Sequence, residues 1–280
     1  FRGQVAKQVV SFYDPNQVFW TYYEWGPRKM IPLVMIAGAF FKADCFFQQF
    51  LKICPKGYRI ISVQMPEGGS VTTPLDWAKS FDRFLDSVGV HGKVHLFGSD
   101  LGGLLAQAYR EYRPLRVQTT ILCNSMPTTK YFDTSFNISS LYELLPMFML
   151  QNSIVSKIQG PALRPSLRLA ADYLIEQVNA MKREELIAFV RLLHSGFRLN
   201  QQKAAASPSE TLTSIEAVDD YLFPTRGKDV LKELFGVQRV VQLKIGGPFP
   251  FLSVPEDINV NILIHLRHHG LYSNGMTEEE

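Results

Sequence analysis

The tightest constraint on this chain is the run KVHLFGSDLGG at residues 93–103. Val94, Leu96 and Phe97 form a short apolar run of the kind that a strand buried on both faces requires. Gly98 and Gly102 flank a tip residue, Asp100. Residues 101–113 (LGGLLAQAYREYR) then carry helix-forming composition with apolar side chains on one face. Strand, Gly-x-Asp-x-Gly and helix in that order predict a strained elbow, in which small residues let the backbone turn sharply and hold the tip clear of the sheet. The tip of such an elbow is a nucleophile position. Serine is the usual occupant, and here it is aspartate.

The rest of the chain supplies a sheet for that elbow. Residues 5–13 and 18–25 are rich in β-branched and aromatic side chains, with Asp14-Pro15-Asn16 between them, which predicts an antiparallel hairpin at a sheet edge. Residues 33–39 (LVMIAGA), 58–63 and 117–123 (VQTTILC) read as buried strands, and residues 41–54 and 75–88 as helices between them. This alternation predicts an α/β fold, a mostly parallel central sheet covered by helices on both faces. After Met126 the pattern turns helical: residues 141–150, 163–181 and 184–193 read as helices, and 204–210 (AAASPSE) as an exposed connector. Strands at 212–218 and 239–245 and a helix at 257–268 complete the core, with a solvated TEEE tail. The expected organisation is a core in two parts, residues 1–126 and 211–280, with a helical cap inserted at 127–210.

Composition excludes several classes. The net charge of +3 is spread without a run of Lys or Arg, so no nucleic-acid footprint is expected. Cys45, Cys54 and Cys123 sit in apolar surroundings and read as free buried thiols of a reducing compartment. Asn137-Ile138-Ser139 matches a glycosylation acceptor, with no signal peptide before it to make the match meaningful. No stretch reaches the roughly 18 consecutive apolar residues of a spanning helix. Neither a metal nor a cofactor is expected.

VHLFGSDLGGLLAQ at the elbow, TTILCNS in the next strand, LLPMFML in the insertion and LKIGGPFPFL near the end together resemble the maspardin family of α/β-hydrolase-fold proteins. The resemblance runs over nearly the whole chain, weakest in the insertion. It implies the α/β-hydrolase fold and a doubtful or absent hydrolase activity. It also implies a cytosolic protein acting through partners, such as a receptor cytoplasmic tail or a cytosolic protein, peripherally at endosomal or trans-Golgi membranes. The match includes a departure, because that family has serine where this chain has Asp100.

A working triad in this fold runs nucleophile, acid, histidine along the chain. Asp219, with Asp220 beside it, follows the strand where the acid belongs. The histidine belongs after the last strand, where the sequence reads Gly246-Gly247-Pro248-Phe249, and Pro248 stands at its position. Proline has no group to take or return a proton. Gly38 and Ala39, at the exit of the strand at 33–39, and Leu101, after the tip, are the oxyanion-loop positions. Ser99 stands beside the tip and does not replace it. His91 and His95 lie before the elbow, His194 in the insertion, and His265, His268 and His269 read as a surface group at a helix end.

Two readings follow. In the first, Asp100 is a carboxylate nucleophile of epoxide-hydrolase or haloalkane-dehalogenase type, or the chain keeps residual esterase activity; the base that would hydrolyse an ester on Asp100 is missing. In the second, favoured here, the chain is a non-catalytic scaffold. With no imidazolium beside it, Asp100 gains little from its charge, and serine is expected to be tolerated there. Leu144, Met147, Phe148 and Met149 read either as cap packing or as an adaptable partner surface.

Overall fold

The computed structural model describes residues 3–270 apart from 15, 69–70, 139–140, 161–162 and 206–207. Pro15, Ser139 and the TEEE end fall outside the described residues. Strands β1 (Lys7–Asp14) and β2 (Asn16–Trp25) pair antiparallel as the expected hairpin. The chain continues through β3 (Leu33–Ile36), α1 (Phe47–Ile53), β4 (Ile60–Val63), the two-residue β5 (Glu67–Gly68), α2 (Pro74–Ser87), β6 (Val94–Ser99), α3 (Leu101–Tyr112) and β7 (Val117–Cys123). Helices α4 (Lys130–Phe136), α5 (Met147–Ile158), α6 (Pro165–Ala180), α7 (Arg183–Leu193) and α8 (Gln201–Ala205) fill the interval before β8 (Leu212–Ala217). Then come α9 (Thr225–Phe235), β9 (Arg239–Leu243), the short α10 (Pro250–Ser253) and α11 (Pro255–His268).

The strand order is β1-β2-β4-β3-β6-β7-β8-β9, with β5 added to β2. From β4 to β9 every pairing is parallel, and β2 meets β4 antiparallel. Strands β3, β4 and β6 are buried at every position, which is what helices on both faces of a parallel sheet demand. The register matters most for function. Ile36 lies beside Gly98, Ser99 beside Cys123, Cys123 beside Ile215 and Ala217 beside Leu243. The C-terminal ends of five strands therefore share one rim, and the residues after them meet there.

Local chemistry explains the elements and one discrepancy. Thr73 caps α2: its hydroxyl accepts from the Asp76 N–H, while the Asp76 carboxylate accepts from the Thr73 N–H, with Pro74 at the first helical position. The single helix expected at 141–150 is instead a 3₁₀ turn at Tyr142–Leu144 followed by α5. Pro146 is the reason. The residue before a proline is pushed out of the α region, and Leu145 sits at ψ 139, so the helix restarts at Met147.

The histidines are a second departure. His265, read as part of a surface group, is wholly buried, whereas His268 is exposed. His265 Nδ1 lies 2.8 Å from the Thr213 hydroxyl, and His95 Nδ1 lies 2.7 Å from that of Thr119. Both Nε2 atoms are buried, and that of His265 has no hydrogen-bond partner among the described residues. Burial first, then the nearby His269, lowers His95 to about 4; burial likewise lowers His265, helped by His269, His95, Arg239 and His268. The folded chain thus binds fewer protons here than the unfolded chain. The stability these neutral rings contribute is complete above the ordinary value of 6.5 and is lost as pH falls below it. Urea unfolding should show stability dropping from pH 7 to pH 5, with a shallower drop in His95→Asn. An unchanged slope in that variant would assign the acid sensitivity to other groups.

Candidate functional site

The rim gathers the residues singled out in the sequence. Asp100 forms the tip between β6 and α3, at φ 44 and ψ −114, a conformation that non-glycine residues enter only when the surroundings impose it. Its N–H donates to Cys123 O at 2.9 Å, and its carbonyl accepts from Gly103 N at 3.1 Å and from the Ser125 hydroxyl at 3.1 Å. Two glycines permit this approach. A methyl group on Gly98 would overlap the Gly102 carbonyl, and one on Gly102 would overlap the Ile36 carbonyl at the end of β3. The elbow predicted from the sequence is therefore present, packed against the neighbouring strand at backbone contact.

The Asp100 side chain does not project as a free nucleophile. Its Oδ1 accepts from the Ala39 N–H at 2.7 Å and from the Leu101 N–H. Those are the N–H groups at the oxyanion-loop positions, so the carboxylate fills the place where an oxyanion would sit. Its Oδ2 is buried without a partner, directly against Gly38, where any side-chain carbon would collide with it. Asp100 has 0% of its surface exposed. Burial pushes its carboxyl up to about 7, against the lowering effect of the two N–H donors and with a further upward push from Asp220. The expectation that serine is tolerated here therefore needs correcting. Removing the carboxylate strands two buried N–H groups that it satisfies.

Asp219 and Pro248 are close neighbours without forming a relay. Asp219 Oδ1 accepts from the Gly247 N–H at 2.8 Å, so the acid holds the backbone of the loop on which a histidine would stand. Asp220 is different in kind: its buried carboxylate meets Lys228 Nζ at 2.5 Å and accepts from the N–H groups of Leu222 and Phe223 at 3.0 Å each. Asn124, not singled out in the sequence, ties the rim together from φ 44. Its Nδ2 donates to Gly247 O at 2.8 Å, and its Oδ1 accepts from Ala217 N at 2.9 Å. The only advance sign was a polar residue directly after a buried strand. Among the described residues no imidazole is hydrogen-bonded to Asp100. His194 packs on Tyr142 at 5.3 Å, and His91 pairs with Asp86 at 3.5 Å.

The loops around Asp100 also carry a continuous aromatic layer. Phe189 meets Phe40 at 5.2 Å, Phe40 meets Phe136 at 5.2 Å, Phe136 meets Phe223 at 6.3 Å, and Phe223 meets Phe249 at 6.5 Å. Phe40 directly follows Ala39, and Phe249 directly follows Pro248. Each of these rings is buried. Phe136 of α4 and Phe189 of α7 thereby pack against the core loops that carry Phe40 and Phe223.

Comparison with known proteins agrees with this geometry. Maspardins from Homo sapiens and Macaca fascicularis are each 31% identical over 96% of this chain and 86% of theirs, and that of Danio rerio is 30% identical over the same shares. The chain belongs to the maspardin family. A putative chloroplastic methylesterase of Arabidopsis thaliana is more distant, 22% identical over 83% of this chain and 55% of its own. No family model matches the sequence. Among solved structures, a thermophilic esterase from Thermogutta terrifontis superposes with a TM-score of 0.78 at 16% identity, covering 95% of this chain and 99% of that one. A putative aryl esterase from Burkholderia cenocepacia gives 0.75 at 15% identity over 94% and 99%. These likenesses establish the α/β-hydrolase fold for this maspardin-family chain.

The Asp100 geometry makes two measurable statements. A carboxyl raised from 3.8 to about 7 binds more protons folded than unfolded. Its contribution to stability is therefore full below 3.8 and is lost as pH rises through about 7, at roughly 1.4 kcal/mol for each pH unit crossed between those values. Relative to Asp100→Asn, the wild-type chain should lose stability between pH 5 and pH 8 by a few kcal/mol. At pH 5, where the wild-type carboxyl is neutral, Asp100→Ser should be about 1–3 kcal/mol less stable than wild type, because it orphans the two N–H donors. A Ser variant as stable as wild type at pH 5 would mean that water satisfies those donors.

Proposed function

We propose that this chain is a non-catalytic member of the maspardin family that works as a cytosolic adaptor or regulator. The reading rests on one observation: Asp100 Oδ1 occupies the two oxyanion donors, Ala39 N–H and Leu101 N–H. Acyl transfer in this fold needs a nucleophilic oxygen, a base to take its proton and vacant donors for the developing negative charge. Here the nucleophile is a carboxylate, proline stands at the base position, and the donors are engaged. Loss of a triad histidine alone costs about 10⁶-fold in kcat in a serine protease. Two losses and an occupied hole leave acyl transfer no route.

The second reading, a carboxylate nucleophile, keeps one supporting observation, the unpartnered Asp100 Oδ2. That oxygen could attack an alkyl carbon, but the resulting ester has no base to hydrolyse it. The two readings separate in one experiment. Purified protein should show no turnover above background on short acyl esters, epoxides or haloalkanes, and its intact mass should not change after incubation with an epoxide. Saturable hydrolysis abolished by Asp100→Asn would overturn the scaffold reading. A single stoichiometric adduct on Asp100 would replace it with a one-turnover alkylation.

Partner contact in this reading runs through the edge of the insertion. Leu144 is 79% exposed, Phe148 62%, Met149 45% and Leu141 62%, a contiguous stretch of large apolar side chains. Met147, grouped with them on sequence, is half-buried against the core and belongs to the packing. The suggested partner is a receptor cytoplasmic tail or a cytosolic protein at endosomal or trans-Golgi membranes. Among the described residues no helix is long and apolar enough to cross a membrane, and in this reading the partner carries any membrane contact. Replacing Leu144, Phe148 and Met149 with serine should remove the protein from endosomal membrane fractions while its Tm stays within a few degrees. Retention on those membranes would place the contact elsewhere.

A further inference from the structure

The elbow is closed, yet the chain keeps a cleft of ligand size beside it. A cavity of about 430 Å³ opens between α7 of the insertion and the loop running from β4 through β5 to α2. That volume falls within the roughly 300–1,000 Å³ of small-molecule sites. Asp100 does not line it. Its walls are apolar where they are deepest: Phe41 and Phe189 are buried, and Met65, Val71, Met181 and Ala188 surround them. Two methionines give such a wall the adaptability that suits a flexible chain.

The charges at the cleft are not equivalent. Arg191 is tied to Glu143 at 2.8 Å, and Glu185 accepts from the Lys182 N–H at 3.0 Å. Lys182, Glu67 and Glu184 are exposed at the mouth, where water weakens their fields without removing them. Lys42 is half-buried and has no ion-pair partner among the described residues. Lys42 is less exposed than Lys182, so a counter-anion there is screened less by water. The acids at the mouth limit that anion to a single charge, because Glu67 and Glu184 would repel a dianionic head group.

We propose that this cleft binds an aliphatic monocarboxylate, with its tail against Phe41, Met65, Met181 and Phe189 and its carboxylate at Lys42. The site does not depend on whether Asp100 is inert, and the ring of Phe189 serves both as the floor of the cleft and as part of the layer that seals the elbow.

Calorimetric titration of the full chain with decanoate, below its micelle concentration, tests the assignment. Decanoate should bind saturably, and decan-1-ol and decyl phosphate at least tenfold more weakly. Lys42→Gln, at a half-exposed position, should weaken decanoate about tenfold and leave decan-1-ol unchanged. Ala188→Trp, which fills the cleft, should abolish binding of both; Met65→Trp carries the same test if that variant fails to fold. Absence of decanoate binding, equal affinity for decanoate and decan-1-ol, decyl phosphate binding as tightly as decanoate, or decanoate binding unaltered by Lys42→Gln or by the filled cleft would each overturn the proposal.

Discussion

Two backbone N–H groups, those of Ala39 and Leu101, point at one spot on the rim of the sheet, and the site's architecture follows from what occupies that spot. A buried N–H without an acceptor costs about 1–3 kcal/mol. In a serine hydrolase the acceptor is substrate or water, so the spot must stay open. In this chain the acceptor is the carboxylate of the residue between them, Asp100. The arrangement is self-contained, and no opening is needed to satisfy it. It also carries a cost, which can be sized. Two charge-assisted bonds favour the ionised carboxylate, yet its pKa still rises from 3.8 to about 7. Desolvation, helped by the nearby Asp220, outweighs the two bonds.

That cost accounts for the way the surroundings are built. An ionised carboxylate would draw in water, but a group held about half-neutral at pH 7 sits more easily in apolar surroundings. Phe40, Phe136, Phe189, Phe223 and Phe249 form the aromatic layer that begins beside Ala39, and each buries a large apolar surface. Phe40 holds φ 65 to do so, an unusual conformation for a bulky residue that sits between the oxyanion loop and the rings of α4 and α7. These ring contacts also fix α4 and α7 to the core. The open space that remains lies one side chain away, beyond Phe189.

Much of this is legible in the sequence, and the parts that are not have a common cause. The strand at 33–39 is a continuous apolar run, and those at 58–63, 94–99 and 117–123 are short stretches rich in apolar and β-branched residues bounded by turn signals, for which a parallel sheet leaves little alternative. The elbow is legible because only glycine fits at 98 and 102, where the structure brings backbone against backbone. Helix α4 escapes a sequence reading because it is only seven residues long, whereas α9 carries an inward stripe of Gly227, Leu231 and Phe235 that is legible and yet absent from the expectations. The role of Asp100 escapes it for a different reason. Composition says that a carboxylate is present, but whether it projects outward or folds back onto Ala39 N–H depends on a residue 61 positions away. His265 misleads in the same way, because a histidine near a helix end reads as surface until the helix is docked on Thr213.

Asp219 has a structural task that does not depend on a histidine. In a working triad the acid orients an imidazole through the imidazole N–H. Here Asp219 takes the N–H of Gly247 instead, and Asn124 takes the carbonyl of the same residue while also binding Ala217 N–H at the end of β8. Both side chains therefore clamp the loop between β9 and α10 to the rim, and neither contact requires a histidine. Pro248 suits this arrangement: its N–H is not missed, and its ring restricts a loop whose two flanking backbone groups are already held. A loop fixed by its backbone is indifferent to the side chain at position 248. Asp219 thus serves the fold through Gly247, and its presence in the sequence is by itself no sign of catalysis.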